Sequence, residues 1–447
     1  MTDSTSEASF HAPHRRWRIA VLLGIGVLVN FFDRVNISVA HNALRDAWGI
    51  SALTFGVLSS AYNWTYAVLQ IPVGVMLDRW GVRRIGRVAT LIWSLASFAS
   101  GLATGVASFF AARLLLGVGE APTFPANAKA VGYWFPERER SFATSINDAA
   151  AKFASAIGVP ILGLLLIGFG WRWSFIFTGI ISFVYFLLFW GVYRNPSEDP
   201  RLSPGERQLL VDGRAQPENL HPESAVVRHA HGAPLLYLLR QPEVIGCTIG
   251  FAAYNYVFYL VLTWLPSYLS MSLHVDLLHS ALDTSIPWLI ATVTDLLIGG
   301  WMVDALVKKG ARPWLVRQSV LVGGLALGAA LYGAGFAHTP RVALFWISIA
   351  MAGLGAMAPV GWSVPSLIAP RASVGRVGGI MNFATQLAAI SAPIVTGYFA
   401  GKHNFRASFL IAAIVLVIGI AGYILGLGRM RVIPEPSWSW SPVNRRL

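Results

Sequence analysis

The sequence contains little charge and almost no cysteine. Of its 447 residues, 12% are charged and 55% are hydrophobic, and the mean hydropathy is +0.58. Soluble domains carry charge on about a quarter of their residues, so this composition excludes an ordinary soluble protein. The single cysteine, Cys247, excludes an intrachain disulfide and leaves the redox compartment undetermined. We interpret Cys247, which lies in an apolar run, as a packing residue.

The sequence also lacks the motifs that mark common enzymes and sensors. It has no cluster with metal-ligand spacing, no nucleophile elbow and no phosphate-binding loop. It has no large polar domain that could relay a signal. These absences argue against a membrane-embedded enzyme or a sensor, and we expect no metal site and no cofactor.

Long apolar runs are what the sequence does contain. Runs of about 20 residues, enough to cross roughly 30 Å of hydrocarbon as a helix, recur along nearly the whole chain. We predict an all-α integral membrane protein with twelve spans, at residues 18–40, 55–77, 85–105, 108–131, 142–168, 173–193, 244–269, 279–303, 314–336, 341–368, 374–400 and 406–428. The first run is too long for a signal-peptide core and no cleavage pattern follows it, so we expect it to be retained.

The basic residues indicate the orientation of these spans. With both termini in the cytoplasm, 25 of the 34 Lys and Arg residues lie in cytoplasmic segments and 5 lie on the other side of the membrane. Such an excess is usual in cytoplasmic loops. The net charge of +13 therefore reflects topology, and we expect no nucleic-acid partner.

One long polar segment divides the spans into six and six. The expected organisation is a cytoplasmic N-terminal tail at 1–17, a six-helix bundle at 18–193, a cytoplasmic linker at 194–243, a second six-helix bundle at 244–428 and a cytoplasmic C-terminal tail at 429–447. In the linker, "SPGE" predicts a capping box between Ser203 and Glu206, with Pro204 as the first residue of a short surface helix.

Three histidines of the linker, His221, His229 and His231, would be the obvious place to look for a metal site. Their spacing matches no common ligand pattern. We interpret this stretch as a solvated linker.

The two halves carry a related motif. "GVMLDRWGVRR" follows the second span and "GWMVDALVKKG" follows the eighth, with Gly, Asp and basic residues in corresponding places. Two related six-helix units that face each other form the central site of many secondary transporters. Gly, Asp and Arg are also ordinary turn residues, which would explain the second copy taken alone.

The first copy resembles the signature between helices two and three of the major facilitator superfamily. The resemblance implies a gating role for the residues of the motif, which are Gly74, Asp78, Arg79, Gly81, Arg83 and Arg84, with Asp304 in the second copy. Gly74 would allow close helix approach, and Asp78 would cap a helix or form an ion pair. The arginines would lock the cytoplasmic gate.

Further stretches narrow the resemblance. "NFFDR", "QIPVGVMLDRWG", "RLLLGVGEAPTFPANAKAVGYWFP" and "GRVGGIMNFATQLAAISAPIVTG" together look like the anion:cation symporter family, over residues 17–428. That family includes proton-coupled carriers of hexuronates, aldonates, glucarate and aromatic acids in bacteria. The resemblance implies two six-helix bundles, pseudo-symmetric to each other, that work by alternating access.

Asp33 and Arg34 stand side by side in the first span. Each costs roughly 2.5 to 3.5 kcal/mol at mid-helix, and the thirteen Leu, Ile, Val and Phe residues from Ile19 to Val39 return roughly 0.3 to 0.6 kcal/mol each. The span thus inserts only marginally, which makes sense if the pair faces a wet or protein-lined cavity. Adjacent residues point about 100° apart on a helix, so we expect the two side chains to reach different partners.

We assign Arg34 as the substrate anchor, because a guanidinium binds a carboxylate through two parallel hydrogen bonds. Asn30 shares its helix face. Asp33 is the expected proton-labile neighbour, and the family implies the same roles. Ion pairs that only fix helix packing are the alternative.

In the fourth span, Glu120 is the expected main proton carrier. Burial disfavours its charged form whereas a nearby cation favours it, so a carboxyl between these effects can load and release a proton. Arg113 resembles the superfamily's helix-four arginine, and a structural role is as compatible with the sequence as a coupling role.

Polar residues on other spans complete the expected substrate site. Tyr62 and Tyr66 share a face of the second span with Gln70, Asn255 shares a face with Tyr259, and Asn382 shares one with Gln386. Tyr66 and Asn382 match family positions that contact substrate. Packing and interhelical hydrogen bonds are the alternatives.

Two places look less typical of the family. In the fifth span Asp148 precedes Lys152 by four residues, the favourable order for an intrahelical ion pair, and we favour that pair. If the pair does not form, Lys152 could hold a second carboxylate. Asp283 and Asp295 lie in the eighth span without an assigned role.

We therefore expect a secondary active transporter, not an enzyme, of a bacterial cytoplasmic membrane that imports a small organic anion such as a hexuronate, aldonate or glucarate by proton symport. The expected partners are the anion, protons and the lipid bilayer. An aromatic-acid importer is an alternative, since four aromatic residues could line such a site: Phe31, Phe32, Phe251 and Trp264. An uncoupled facilitator or exchanger is another. The sequence leaves the anion, the proton number and the oligomeric state open, and a monomer is the working expectation.

Overall fold

The computed structural model describes residues 14–136, 139–213, 215, 233–370 and 373–436, without the side chains of Ile71, Asp78, Ser141 and Leu277. Regular structure in these residues is helical throughout. The three linker histidines lie outside the described residues.

Helices one to six form the first half. Helix one is Arg15–Val39, helices two and three share the stretch Ala52–Gly101, helix four comprises Val106–Glu120 and Thr123–Trp134, helix five is Arg140–Phe169 and helix six is Trp171–Val192. A short helix, His41–Trp48, follows helix one. The loop expected between helices two and three shrinks to a turn at Gly81, whose φ of 73° is left-handed and readily adopted by glycine.

Helices seven to twelve form the second half. Helix seven is Pro242–Leu273; helix eight comprises Leu277–Thr294, the π-helical Asp295–Met302 and Val303–Lys308; helix nine comprises Pro313–Gly328 and Leu331–Ala334; helix ten is Pro340–Ile368; helix eleven is Val374–Ala400; and helix twelve is Phe405–Ala421, continued by the π-helical Gly422–Leu427. Two short helices, Pro204–Asp212 and Leu235–Leu238, lie in the central segment.

The helices agree with the twelve predicted spans. Among the described residues, nine helices are long and apolar enough to cross a membrane. The remaining three spans are helices two and three, which form one nearly continuous stretch, and helix four, which is broken into two pieces.

The halves meet through three helix pairs: two with eleven, five with eight, and one with seven. The two halves are related by a twofold axis that places each helix on the helix six positions later in the chain. This axis exchanges the pair of helices two and eleven with the pair of helices five and eight, and it maps the pair of helices one and seven onto itself. The side that holds Arg15 and the central segment is called the terminal face below. The side that holds residues 40–51 and 401–404 is called the opposite face.

The halves are in contact at the opposite face. A Cβ atom on Gly56 would lie 2.4 Å from the carbonyl oxygen of Pro393, so glycine permits the close approach of helices two and eleven. Nearby, Nδ1 of His41 lies 3.0 Å from Oγ of Ser267. The His41 ring centroid is 5.3 Å from that of Trp264, so residues from both halves close this face.

The halves are apart near the terminal face. A Cβ atom on Gly74 or Gly375 would meet nothing within 4 Å. The expectation that Gly74 makes a close helix contact is therefore wrong for this conformation, because the facing helix is distant. Arg83 binds Glu198 of the central segment at 2.6 Å rather than the second half.

In the described contacts, the other residues of the gating motif also form no link between the two halves. The guanidinium of Arg79 lies 5.7 Å from the ring of Trp80. Arg84 and Asp304 are exposed. The side chain of Asp78 lies outside the described part of the chain.

The central segment docks against the start of helix one. Asp199 accepts from Nε and Nη2 of Arg15 at 2.8 and 2.6 Å. Ser203 accepts from the backbone N–H of Glu206 at 3.2 Å, as the capping prediction requires. The Glu206 carboxylate, however, accepts from the backbone N–H of Arg16 at 3.0 Å. The capping box therefore forms only in part, and the short helix is anchored to the bundle rather than free at the surface.

Candidate functional site

A cavity of about 560 Å³, part of it continuous with solvent, lies between the two halves. Seven of the nine residues predicted to bind substrate line it: Arg34, Tyr66, Lys152, Asn255, Tyr259, Asn382 and Gln386. They come from helices one, two, five, seven and eleven. The tertiary structure therefore brings most of the dispersed polar candidates to one place.

Arg34 is a buried cation in the wall of this cavity. Its Nε donates to Oε2 of Glu120 at 3.0 Å, and its Nη1 donates to the hydroxyl of Tyr259 at 3.0 Å. Its Nη2 is buried and has no hydrogen-bond partner among the described residues. One edge of the guanidinium is thus held by Glu120, and the other edge can receive a planar anion such as a carboxylate.

Glu120 reaches Arg34 because helix four packs very closely on helices two and three. A Cβ atom on Gly117 would lie 2.0 Å from the carbonyl oxygen of Tyr62, and one on Gly119 would lie 2.4 Å from the backbone nitrogen of Trp93. Neither contact tolerates a larger side chain without movement. The "GVGE" stretch therefore places the carboxyl against helix one.

Helix four breaks immediately after Glu120. Pro122 has no N–H to continue the helical hydrogen bonds, and a second helical segment begins at Thr123. Pro125 likewise leaves the carbonyl of Ala121 without a helical donor, and Nε2 of Gln70 donates to that carbonyl at 3.5 Å. Glu120 is 0% exposed, and its Oε1 has no hydrogen-bond partner among the described residues.

Asp33 lies in a different environment from its neighbour. Its carboxylate accepts from Nε1 of Trp93 at 2.5 Å, from Oγ of Ser97 at 2.8 Å and from Oγ of Ser182 at 3.0 Å. It does not line the cavity. The prediction that Asp33 and Arg34 reach different partners is confirmed.

Arg113 lies behind Arg34. Its Nη1 donates to the backbone carbonyl of Asp33 at 3.3 Å. The guanidinium carbons of Arg34 and Arg113 each lie 5.1 Å from the ring centroid of Tyr62. With Asp33 and Glu120, these two arginines make four buried ionisable side chains, whose charges sum to zero when both acids are ionised.

Asn382 joins helix eleven to helix two. Its Nδ2 donates to Oε1 of Gln70 at 2.6 Å. Its Oδ1 accepts from Oγ1 of Thr385 at 3.2 Å and from Nε2 of Gln386 at 3.4 Å. This row of amides crosses the cavity wall from one half to the other and offers donors and acceptors to hydroxyl groups.

Lys152 has two acidic partners. Its Nζ donates to Oδ2 of Asp148 at 3.0 Å, so the predicted intrahelical pair is confirmed. It also contacts Oδ2 of Asp295 on helix eight. Asp283, the other acid of helix eight, is partly exposed and does not line the cavity.

Two of the predicted substrate-binding residues, Asn30 and Tyr62, lie outside the cavity lining. Asn30 is 0% exposed, and both polar atoms of its amide lack a hydrogen-bond partner among the described residues. Tyr62 is buried between the two arginines. The amide of Asn255 does line the cavity, but it donates to the backbone of Phe251 at 3.1 Å.

Sequence reasoning missed several aromatic residues of the cavity wall, which are Phe124, Tyr254, Phe258 and Trp362. Aromatic residues are frequent along the whole chain, so no local signal distinguishes these positions. Of the four aromatic residues considered for an aromatic-acid site, only Phe31 lines the cavity.

The helical halves, the cavity between them and its buried charges define a membrane transport protein. The Major Facilitator Superfamily model matches residues 23–317 and 314–443. The chain therefore belongs to the Major Facilitator Superfamily. It is a multi-pass membrane transporter and not an enzyme, as the sequence predicted.

Individual relatives cover nearly the whole chain. The uncharacterized transporter YybO of Bacillus subtilis (strain 168) is 37% identical over 422 residues, which cover 94% of this chain and 96% of YybO. The D-galactonate transporter of Escherichia coli O6:H1 is 32% identical over 417 residues, which cover 93% of this chain and 96% of the relative.

A solved structure shares the fold. It is a bacterial homolog of the human lysosomal transporter Spinster in an inward-facing and occupied conformation, with a TM-score of 0.72 over 95% of this chain and 100% of that chain. The two sequences are 18% identical, so this likeness concerns the fold alone.

Proposed function

We propose that this protein is a secondary active transporter that imports a small organic anion, such as a hexuronate, aldonate or glucarate, by proton symport through alternating access. Its membrane is a bacterial cytoplasmic membrane, and both termini lie in the cytoplasm. The similarity to a D-galactonate transporter supports a sugar acid as cargo. The proton gradient supplies the driving force, and no cofactor is needed.

The observation that carries this proposal is the position of Arg34 between Glu120 and the cavity. The guanidinium is bound to Glu120 through Nε, and Nη2 is buried without a hydrogen-bond partner among the described residues. A substrate carboxylate can bind Nη1 and Nη2 together, taking the place of the Tyr259 hydroxyl on Nη1. Such a two-point contact selects a planar anion over a halide ion.

Competition for Arg34 explains how a proton is coupled to the anion. When Glu120 is ionised, it neutralises Arg34, so a second carboxylate gains little by binding there. When Glu120 is protonated, Arg34 has no anionic partner and attracts the substrate. Loading a proton and loading an anion therefore favour each other, which is the requirement for symport.

The arrangement of the two faces supports alternating access. The opposite face is closed by contacts such as His41 with Ser267, and the helices at Gly74 and Gly375 are apart at the terminal face. With the termini in the cytoplasm, this is the inward-facing state. The gating arginines would engage the second half when the halves come together at the cytoplasmic side, and Arg83 would then exchange its partner Glu198.

The polar cavity wall suits a hydroxylated anion. Tyr66, Tyr259, Asn382 and Gln386 present phenol and amide groups to the cavity. A site built to hydrogen-bond hydroxyl groups rejects analogues that lack them, because its own polar groups are then left unpaired. We therefore expect sugar acids to bind better than unsubstituted carboxylic acids.

An importer of aromatic acids is the second candidate. Four aromatic rings stand in the cavity wall in addition to the tyrosines of the polar site: Phe31, Phe124, Phe258 and Trp362. Stacking on these rings would stabilise a flat substrate by about 0.5 to 1.5 kcal/mol per pair. Sugar acids and aromatic acids need the same Arg34 anchor, so a substrate comparison separates them.

The test uses purified protein in proteoliposomes that contain a pH-sensitive dye. D-galactonate, D-glucarate, D-glucuronate and benzoate are added outside in turn, without an imposed gradient. Symport predicts internal acidification with at least one sugar acid and none with Arg34→Gln. Because neutral benzoic acid crosses a bilayer unaided, only benzoate-dependent acidification faster than in protein-free liposomes would favour the aromatic-acid importer. Uptake without any pH change would contradict proton coupling and leave a facilitator.

A further inference from the structure

A second buried charge cluster lies where helix five meets helix eight. Lys152 binds Asp148 one turn earlier on helix five and contacts Asp295 on helix eight. The side chains of Lys152, Asp148 and Asp295 are 2%, 18% and 1% exposed. Because the two helices belong to different halves, the lysine joins the halves through a buried ion pair.

The cluster carries one negative charge too many when both carboxyls are ionised. One ammonium can neutralise only one of its two carboxylates. The buried arginines of the first half bind elsewhere in the described residues: Arg34 donates to Glu120, and Arg113 donates to the backbone carbonyl of Asp33. An uncompensated charge buried in protein is strongly unfavourable.

The helices around the cluster supply no further cation. Helix seven contributes Tyr254, which interacts electrostatically with all three residues and is uncharged. Helix ten packs on the π-helical segment and has no ionisable side chain at 342–368. On helix eight itself, the nearest titratable residue toward the opposite face is Asp283, twelve positions earlier, and toward the terminal face Asp304.

The carboxylate of Asp295 is only partly satisfied. Both of its oxygens are buried without a hydrogen-bond partner in the described part of the chain, and only Oδ2 has an ionic contact, with Nζ of Lys152. Asp295 is also the first residue of the π-helical segment Asp295–Met302, and such segments are frequent at functional sites. An unpartnered carboxyl oxygen in a site with excess negative charge is a place for a proton.

We propose that Asp148, Lys152 and Asp295 form a proton-binding site separate from Asp33 and Glu120, in which the two aspartates share one proton beside the lysine. Two carboxyls that approach the same point cannot both remain ionised, so one of them holds the proton. Asp148 and Lys152 line the cavity, which gives the proton a route to the cavity. A metal ion is disfavoured because the ammonium already contacts both carboxylates of the cluster.

The proton controls the charge beside the cavity. With it, the cluster is neutral and an anion can enter the cavity; without it, the cluster repels the anion. This consequence for anion binding rests on the proposed function, whereas the proton site does not. Loss of the proton also strengthens the ionic link between the halves, because Lys152 then faces two full charges.

The test is infrared spectroscopy of the full-length protein in nanodiscs at pH 7, in H₂O and in D₂O. A protonated carboxyl gives a C=O stretching band, well separated from carboxylate bands, that shifts in D₂O. The proposal expects Asp295→Asn and Asp148→Asn each to lose the band contributed by one carboxyl, since a single aspartate beside Lys152 stays ionised. Lys152→Met should increase the band, because both aspartates then favour protonation. Asp283→Asn, on the same helix, is the matched control and should leave it unchanged.

The aspartate variants and Lys152→Met are expected to change the C=O band in opposite directions, so the measurement can contradict the proposal. A structural ion pair without a bound proton predicts no loss of band in Asp295→Asn or in Asp148→Asn, and that result would overturn the proposal. Elution of each variant as a single species in size-exclusion chromatography is the check that it is folded. If one aspartate variant does not fold, the other is sufficient for the test. If no acid in the uptake panel is transported but the band pattern holds, the proton site stands and the proposed function fails.

Discussion

Nε of Arg34 on helix one donates to Oε2 of Glu120 on helix four at 3.0 Å, and the two side chains are 4% and 0% exposed. The residues are 86 positions apart in the chain. Only the guanidinium lines the cavity, and the carboxyl lies behind it. A substrate thus meets the cation first, while the proton-labile group sets how strongly that cation attracts it.

Replacement of Arg34 by lysine should weaken substrate binding strongly. The lysine ammonium is a point charge that cannot hold Glu120 and a substrate carboxylate in two parallel pairs. We expect a loss of about 1.5 to 3 kcal/mol, or roughly ten- to hundredfold in Kd. Calorimetric titration with D-galactonate measures it. Arg172→Lys is the matched control, because the described hydrogen bonds of Arg172 go to the backbone carbonyls of Gly101 and Ala103. Unchanged affinity in Arg34→Lys would remove Arg34 as anchor.

Replacement of Glu120 by glutamine should separate exchange from uphill transport. Glutamine keeps an oxygen that can accept from Arg34, but it cannot gain or lose a proton. We expect proton-driven accumulation to be abolished and substrate counterflow to remain within about tenfold of wild type. Radiolabelled uptake with and without a pH gradient distinguishes the two. Glu435→Gln, at an exposed position after helix twelve, should behave as wild type. Accumulation retained in Glu120→Gln would exclude Glu120 as the carrier.

A membrane potential should drive uptake if Asp33 carries a second proton. Two protons moving with one monoanion transfer one positive charge, worth about 2.3 kcal/mol per 100 mV across the full field. Proteoliposomes at equal pH with an inside-negative potassium potential should then accumulate D-galactonate. Asp33→Asn should abolish this accumulation, and Asp212→Asn, at an exposed position of the central segment, should not. No accumulation in wild type would leave an electroneutral carrier with one proton.

The closed opposite face should open in acid because of His41. Burial, with a smaller effect of Arg45, lowers the pKa of His41 to about 4, whereas a solvent-exposed histidine titrates near 6.5. The closed state thus binds fewer protons, so its advantage is complete above about pH 6.5 and falls as the pH drops toward 4. Between pH 7.5 and 5.5 the ratio of open to closed should rise about tenfold.

Spin labels at Leu53→Cys and Tyr398→Cys, in a Cys247→Ala background, report the separation of helices two and eleven at this face. Double electron–electron resonance should show a longer-distance population at pH 5.5 than at pH 7.5. His41→Gln should remove most of this dependence, because glutamine can still bind Ser267 but does not titrate. The same pH response in both proteins would place the sensor elsewhere.

The sequence by itself determined the elements that depend on local physics. Twelve runs long enough to cross the membrane follow from hydrophobic length. The need of Asp33 and Arg34 for partners within the first span follows from the cost of buried charge. The separation of Asp33 from Arg34 also follows, because a helix turns adjacent side chains about 100° apart. The pairing of Asp148 with Lys152 joins residues four positions apart on one helix, so it could also be predicted from the sequence.

Only the tertiary structure decided which distant groups meet. The partner of Arg34 depends on how closely Gly117 and Gly119 let helix four approach, and no local pattern measures that distance. Asp295 reaches Lys152 only because helices five and eight face each other across the two halves. Which face is closed depends on a balance between two packings of the same helices. Hydrophobic length is a property of one segment, whereas a salt bridge or a closed face is a property of two segments and the space between them.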